Sequence, residues 1–353
     1  MLLCTGNRLN RNYVNQGERM FKIGFHQFGL NKPTINSWFG GMYRSLFKAL
    51  EDLGCHVSYT DDEPAKDIDV LVVPMGGGQD KSSIKAMMKY EGPVVMNIGA
   101  AAYWFREGLL NRWRDRILFL YGTDRSEYSF KMAESVGLSY HYMPFGSNPE
   151  IMRPLDLPRL YDVVFVGNAD SGIGRHQYTK LLLEELQDRK ILFVGSGWEK
   201  YGYPFQTIAW GELLNIIYNL SSICLNISND EQKSAASTPR MDANNRLFDL
   251  AMAGCFQISN APQLVRHYFD DSEVLAIDSP KEWVSAIRYY LDNPEETHSF
   301  RMAARERALA DHDWRNRAKN FIAEIELQLS RREKIRAKIP SWKKALRLRD
   351  AYI

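Results

Sequence analysis

Short apolar runs alternate with amphipathic stretches along the chain, and the alternation occurs twice. Residues 21–25 read as a strand, after which Leu46, Phe47, Leu50 and Leu53 mark one face of a helix that stops at Gly54. Residues 56–59, 70–73, 94–98 and 117–121 read as further strands, and their nearly continuous apolar character suits strands covered on both faces. A helix over 126–136 leads into a stretch dense in proline and glycine, residues 143–158, which marks a boundary. The pattern then restarts. Strands are predicted over 162–168, 191–197, 223–228, 256–259 and 274–277, and helices around Leu181, Leu182 and Leu186, over 213–220, 244–254 and 281–291, and over 314–329.

Strand–helix alternation of this kind predicts an α/β protein with two doubly wound, Rossmann-like domains facing across a cleft. The expected division is a disordered N-terminal extension over 1–19, a first domain over 20–150, a hinge over 151–160, a second domain over 161–330 and a basic amphipathic tail over 331–353. The extension is rich in Asn and Arg with little to bury, which makes Met20 the expected natural start. In wound sheets ligands sit beyond the carboxyl ends of the strands, so the residues that end each strand are the ones to inspect. In the second half they are Gly167 and Asn168, then Gly195, Ser196, Gly197 and Trp198, then Asn226 and Ser228. Arg175 opens the helix after Gly172-Ile173-Gly174. Glycines allow close approach of a phosphate or a ring, and an arginine at a helix start pairs with phosphate oxygens; ordinary turns use the same residues. A dinucleotide fingerprint is absent, since its third glycine falls at Gln177.

Composition narrows the classes. Forty-five basic residues against 43 acidic exclude a nucleic-acid binder by bulk charge. The excess is local: residues 331–353 hold nine Lys or Arg against Glu333 and Asp350. Cys4, Cys55, Cys224 and Cys255 are scattered without ligand spacing, so neither a zinc site nor a disulfide framework is expected, and a reducing, cytoplasmic setting follows. There is no run of 18 apolar residues and no apolar leader, so neither a membrane span nor a signal peptide is expected.

The densest chemistry lies in Asn244-Asn245-Arg246-Leu247-Phe248-Asp249-Leu250-Ala251-Met252-Ala253-Gly254. Leu247, Leu250 and Ala251 form an apolar stripe, Asn244 or Asn245 can cap the start, and Gly254 ends the helix. Arg246 and Asp249 then stand three residues apart. An arginine at a helix N-terminus holds phosphate oxygens, and a nearby carboxylate accepts from ribose hydroxyls. An ordinary surface ion pair has the same spacing.

Residues 162–322 resemble the nucleotide-binding domain of a GT-B glycosyltransferase, and more narrowly the CgeB-like (spore maturation protein) group. The resemblance is carried by Val163-Val-Phe-Val-Gly-Asn, Ile223-Cys-Leu-Asn-Ile-Ser, Asn245-Arg-Leu-Phe-Asp, Tyr289-Tyr-Leu-Asp-Asn-Pro-Glu-Glu and His312-Asp-Trp-Arg-Asn-Arg-Ala. The segment Met143-Pro-Phe-Gly-Ser-Asn-Pro is similar to the interdomain segment of such enzymes. The resemblance implies transfer of a sugar from a nucleotide-sugar donor bound by the second domain, without an obligatory metal or other cofactor, to a glycan, lipid-linked or protein acceptor. It departs from the family at Asp249, where a glutamate is usual, and it carries no pair of glutamates eight residues apart, so neither retention nor inversion is assigned. A non-catalytic sugar-binding or coat-assembly protein on the same fold is the alternative, and a dinucleotide oxidoreductase a more distant one.

In the first half, Asn36, Trp38, Gly40 and Gly41 lie in an expected loop before the first helix, and Gly76, Gly77 and Gly78 follow a strand; both loops suit the acceptor and the transferred sugar. His26, Asp80 and Asp124 are the candidate general bases, with capping of the following helix as the competing role for Asp124. Trp38 and Trp198 are the candidate stacking platforms for a sugar ring. The basic tail, with Trp342 among its apolar residues, suits peripheral contact with an anionic membrane, or a solvated end.

Overall fold

A computed structural model describes residues 20–26, 38–60, 64, 67–73, 81–98, 108–169, 175–202, 205–206, 209–227 and 243–338. Within these ranges, residues 38–43, 81–83, 109, 175–177 and 335–338 are described by their backbone alone. Two six-stranded sheets form the frame. The first has the order β2-β1-β3-β4-β5-β6, built from β1 (Lys22–His26), β2 (His56–Thr60), β3 (Val70–Val73), β4 (Val94–Asn97), β5 (Ile117–Gly122) and β6 (Tyr140–Tyr142). The second has the order β12-β11-β10-β7-β8-β9, from β7 (Tyr161–Val166), β8 (Ile191–Val194), β9 (Phe205–Gln206), β10 (Ser221–Asn226), β11 (Gln257–Ser259) and β12 (Leu275–Ala276). Every pairing between these strands is parallel.

The apolar runs have their explanation here. Each sheet carries a core on both faces, so Val70–Val73 of β3 is buried throughout and cannot alternate with polar residues. The second sheet is likewise covered on both faces, one side holding Val164, Leu192 and Leu247 and the other Val163, Phe165 and Trp283. β6, β9 and the helices Lys81–Lys89, Leu109–Trp113, Pro262–Val265 and Thr297–Asp311 were not anticipated. Thr297–Asp311 buries Ala304 and Ala308 in place of a large apolar stripe, which leaves little periodicity to detect.

The last helix, Trp314–Lys338, returns to the first lobe. Trp314, Ala318, Phe321 and Ile325 lie in the same core as Phe21, Phe25 and Leu50. Each large side chain buried there contributes about 1.5–3 kcal/mol. The helix runs past residue 330, where the sequence placed the start of the tail, because no helix breaker precedes Pro340. Arg332 fixes this extension by donating to the carbonyls of Arg116, at 3.1 Å, and of Ile117. Among the described residues no helix is long and apolar enough to cross a membrane.

The chain crosses between lobes at residues 143–149 and again at 311–314, and the two crossings are tied together. Ser147 N donates to the His312 carbonyl at 2.9 Å and Trp314 N donates to the Ser147 carbonyl at 3.1 Å. Gly146 allows this approach, since a Cβ there would lie 3.1 Å from both the Trp314 ring and its backbone nitrogen.

Candidate active site

The motif helix spans Asn245–Met252, and Asn244 caps it by accepting from Leu247 N at 3.3 Å. One residue in a helix turns about 100°, so its side chains divide their tasks. Leu247, Leu250 and Ala251 enter the core. Arg246 turns to the carboxyl ends of the second sheet: its Nη1 donates to Asn226 Oδ1 at 3.3 Å and to the Ile227 carbonyl at 3.4 Å, and its guanidinium lies 5.3 Å from the Phe165 ring centre. Asn226 ends β10 and is itself held, because its Nδ2 donates to Ser259 Oγ at 3.1 Å while Ser259 Oγ donates to the Asn226 carbonyl at 3.2 Å. That arrangement presents the Asn226 oxygen to Arg246. Asn226, expected to bind the donor, is engaged here by the arginine, and Ser259 behind it carries no sequence signal beyond ending a strand.

Arg246 is half-buried, and among the described residues no carboxylate lies within ion-pair distance of it. Its hydrogen-bond partners among the described residues are two neutral acceptors at long range. Burial lowers its pKa, opposed by Tyr218 and Asp249, yet a guanidinium stays charged. A partly desolvated cation whose described acceptors are neutral and distant is a ready binding group for an anion.

Asp249 turns inward, toward the crossing between the lobes. Its Oδ1 accepts from Ser147 Oγ at 2.7 Å and its Oδ2 from Asn245 Nδ2 at 2.9 Å, and it is 8% exposed. Burial pushes its pKa up to about 7, against the pull of the Ser147 and Asn245 hydrogen bonds and of Arg246. Asn245, named as a donor contact, spends its amide on this carboxylate.

The glycine-bearing strand ends form a knot of their own. Gly167 N donates to the Val194 carbonyl at 2.7 Å, Ser196 N to Asn168 Oδ1 at 3.1 Å, and Ala169 N to the Ser196 carbonyl at 2.9 Å. Gly195 has φ of 142°, and a Cβ on it would lie 2.4 Å from the Gly167 carbonyl oxygen. Gly167 and Gly195 therefore allow β7 and β8 to pack closely at their ends; Gly197, at φ 84°, turns the chain beyond. Trp198 is no stacking platform. It is fully buried, stacks on Phe193 at 4.0 Å and 24°, and donates Nε1–H to the Gly167 carbonyl at 2.8 Å. Large aromatic area drives it inward, and the carbonyl supplies the partner its indole requires.

The remaining expected residues divide in two. Asn36, Gly76, Gly77, Gly78, Asp80 and Ser228, with residues 1–19 and 339–353, lie outside the described residues. Trp38, Gly40 and Gly41 are not in a loop: the first helix, Trp38–Asp52, already contains them. Arg175 opens the helix Arg175–Glu185 as expected. His26 ends β1 beside Thr60 and is 1% exposed, whereas a base must reach an acceptor hydroxyl. Asp124 is committed to the start of the helix Glu127–Ser135, its oxygens accepting from Ser126 N at 3.0 Å, Ser126 Oγ at 2.6 Å and Ser129 Oγ at 2.7 Å. Among the described residues no group of three His, Cys, Asp or Glu side chains is placed to hold a metal ion.

Near the hinge the lobes touch through side chains that had no role assigned from the sequence, although His312 and Arg317 lie in one of the segments that carry the resemblance. Arg125 meets the His267 ring, and the Tyr142 and Tyr268 hydroxyls meet. Arg317 is buried and donates to the Phe145 carbonyl at 3.1 Å, the Asp311 carbonyl at 2.8 Å and His312 Nδ1 at 3.0 Å. His312 Nε2 then carries the hydrogen and donates to the Tyr268 carbonyl at 3.1 Å. Burial and the adjacent Arg317 push the His312 pKa down to about 4, so the ring is neutral near pH 7.

Comparison with known proteins follows the same lines. Residues 175–323 match a family model described as glycosyl transferase-like. The comparison with curated proteins finds no match. Among solved structures, the fold is similar to sucrose-phosphate synthase from Thermosynechococcus elongatus, with a TM-score of 0.61 at 13% identity over 88% of this chain and 99% of that one. It is similar to the T4 phage enzyme BGT in complex with its UDP-glucose substrate, with a TM-score of 0.61 at 12% identity over 88% of this chain and 98% of the other. Anabaena HepE in complex with UDP and glucose gives 0.60 at 8% identity, covering 87% and 99%. The chain therefore has the GT-B architecture of two Rossmann-like domains, and its second lobe is glycosyl transferase-like in sequence.

Proposed function

We infer that the protein is a glycosyltransferase that moves a sugar from a nucleotide-sugar donor, held by the second lobe, to an acceptor met by the first. The observation that carries this reading is Arg246: a half-buried guanidinium at the carboxyl ends of β7 and β10, whose partners among the described residues are neutral, where wound sheets bind ligands. The arginine and the adjoining helix start supply the positive charge a diphosphate requires, and the reaction proposed is metal-independent on that account. A hexose is the expected sugar, the acceptor class is a glycan, a lipid-linked sugar or a protein, and the CgeB-like group is the narrower family we assign. Residues 339–353, with the basic end of the last helix, are proposed to rest on an anionic membrane surface.

Calorimetric titration with UDP-, GDP- and dTDP-sugars, with donor hydrolysis followed in parallel, tests the reading. Wild type should bind one of them, and Arg246→Met should weaken that binding by about 30-fold or more, the usual loss when a charged hydrogen-bonding partner is removed. Equal affinity in the variant would remove the basis of the assignment. Binding without turnover on any plausible acceptor would point to a non-catalytic protein on this fold.

A further inference from the structure

Three contacts converge on Ser147. Its backbone nitrogen and carbonyl bind His312 and Trp314 of the second crossing, and its hydroxyl donates to Asp249 of the motif helix at 2.7 Å. All three of its polar groups are used, and it is 1% exposed. Asp249 has no oxygen left without a donor, since Asn245 takes the other. The neighbouring Phe248 fastens the same joint through rings: it lies 5.1 Å from His312, 5.1 Å from Tyr268 and 5.8 Å from the Arg317 guanidinium. Two consecutive residues of the motif helix thus grip the hinge, while Arg246 on its first turn reaches the donor end of the sheet.

We propose that Asp249 is a positioning residue and not a ribose ligand: through Ser147 it locks the interlobe crossing to the helix that carries Arg246, so that the donor arginine and the lobe geometry are set together. This rests on the donor site proposed above. An eight-residue helix moves as one body, so a hinge rotation that carries Ser147 carries Arg246 with it. Binding a donor diphosphate and fixing the angle between lobes become one event, which is what assembling an acceptor against a donor demands. The carboxylate at 249 is one methylene shorter than glutamate, which suits a short, buried reach to a backbone-held serine.

The test compares UDP with its 2′-deoxy and 3′-deoxy analogues on wild type, Asp249→Asn, Ser147→Ala and the double variant. A hinge anchor predicts that removing either ribose hydroxyl costs the same fold-loss of affinity in wild type and in Asp249→Asn. It also predicts that both single variants weaken UDP by a similar factor, about 3- to 10-fold, and that the double variant is no worse than either. A ribose ligand predicts the opposite: the deoxy penalty vanishes in Asp249→Asn, and Ser147→Ala binds normally. A second measurement needs no nucleotide. Spin labels at Glu134 and Lys281, both exposed and on different lobes, with Cys4 replaced by serine, report the interlobe distance by double electron–electron resonance. Broadening in each single variant, with no further change in the double, supports the anchor; distributions identical to wild type overturn it. If wild type fails to bind UDP while the distances shift as stated, the donor reading falls and the hinge anchor stands.

Discussion

Replacing Asp249 by asparagine and His312 by glutamine should turn the pH dependence of stability in opposite directions. Both groups are buried at the hinge, and both favour their neutral forms in the fold. For Asp249 the pKa rises from 3.8 to about 7, so between these values the folded protein holds a proton the unfolded chain has released. Stability from this group is therefore greatest below pH 3.8 and is lost as pH rises toward 7. For His312 the pKa falls from 6.5 to about 4, so the unfolded chain holds the extra proton and stability is lost as pH falls through that window. Between pH 4 and 6.5 each group changes stability by about 3 kcal/mol, from 1.36 kcal/mol per pKa unit, and the two changes nearly cancel in the wild type. Urea unfolding at half-unit steps from pH 4 to 6.5 measures both, read as variant minus wild type so that other titrations drop out. The difference for Asp249→Asn should climb by about 3 kcal/mol across the range, and that for His312→Gln should fall by about as much. Difference curves that are both flat would show that neither group is held neutral by the hinge, and the packing argument for it would fail.

Other consequences are simpler. Gly195→Ala sets a side chain at φ 142° and 2.4 Å from a backbone oxygen that cannot move aside, so it should cost about 1–3 kcal/mol and lower the melting temperature; an unchanged melt would contradict the close strand-end packing. Trp198→Phe leaves the Gly167 carbonyl without its indole donor and should lose about 1–3 kcal/mol in urea unfolding, an outcome a surface stacking platform would not give. Deleting residues 339–353 should reduce sedimentation with anionic liposomes while leaving the melting temperature in place, because the last helix keeps Arg332 on the first lobe; equal sedimentation ends the membrane proposal.

How much of this was legible beforehand varies with the reach of the interaction. The strands from β1 to β5 and most of the second sheet were readable because burial on both faces imposes apolar runs, and Asn244, Leu247, Leu250, Ala251 and Gly254 announced the motif helix through capping and helical spacing. The place of Arg246 on the first turn of that helix was legible for the same local reason. Trp198 was not, because a tryptophan beside glycines looks alike whether it faces a cleft or fills a core; the Gly167 carbonyl and the Phe193 ring decide the matter, and neither adjoins it in sequence. The helix Thr297–Asp311 escaped notice because alanines carry little of the hydrophobic contrast that periodicity measures.

The sequence by itself determined the local and periodic features: where most of the strands and about half of the helices lie, that the pattern occurs twice, and which helix combines an arginine with an acid. The tertiary structure decided which of these residues meet. Ser147 stands 102 positions from Asp249, and Arg125 stands 142 from His267, so nothing in local propensity or spacing relates them. Such contacts arise only when two sheets and two chain crossings are packed together, since burial forces each polar group to find whatever partner the fold brings within reach.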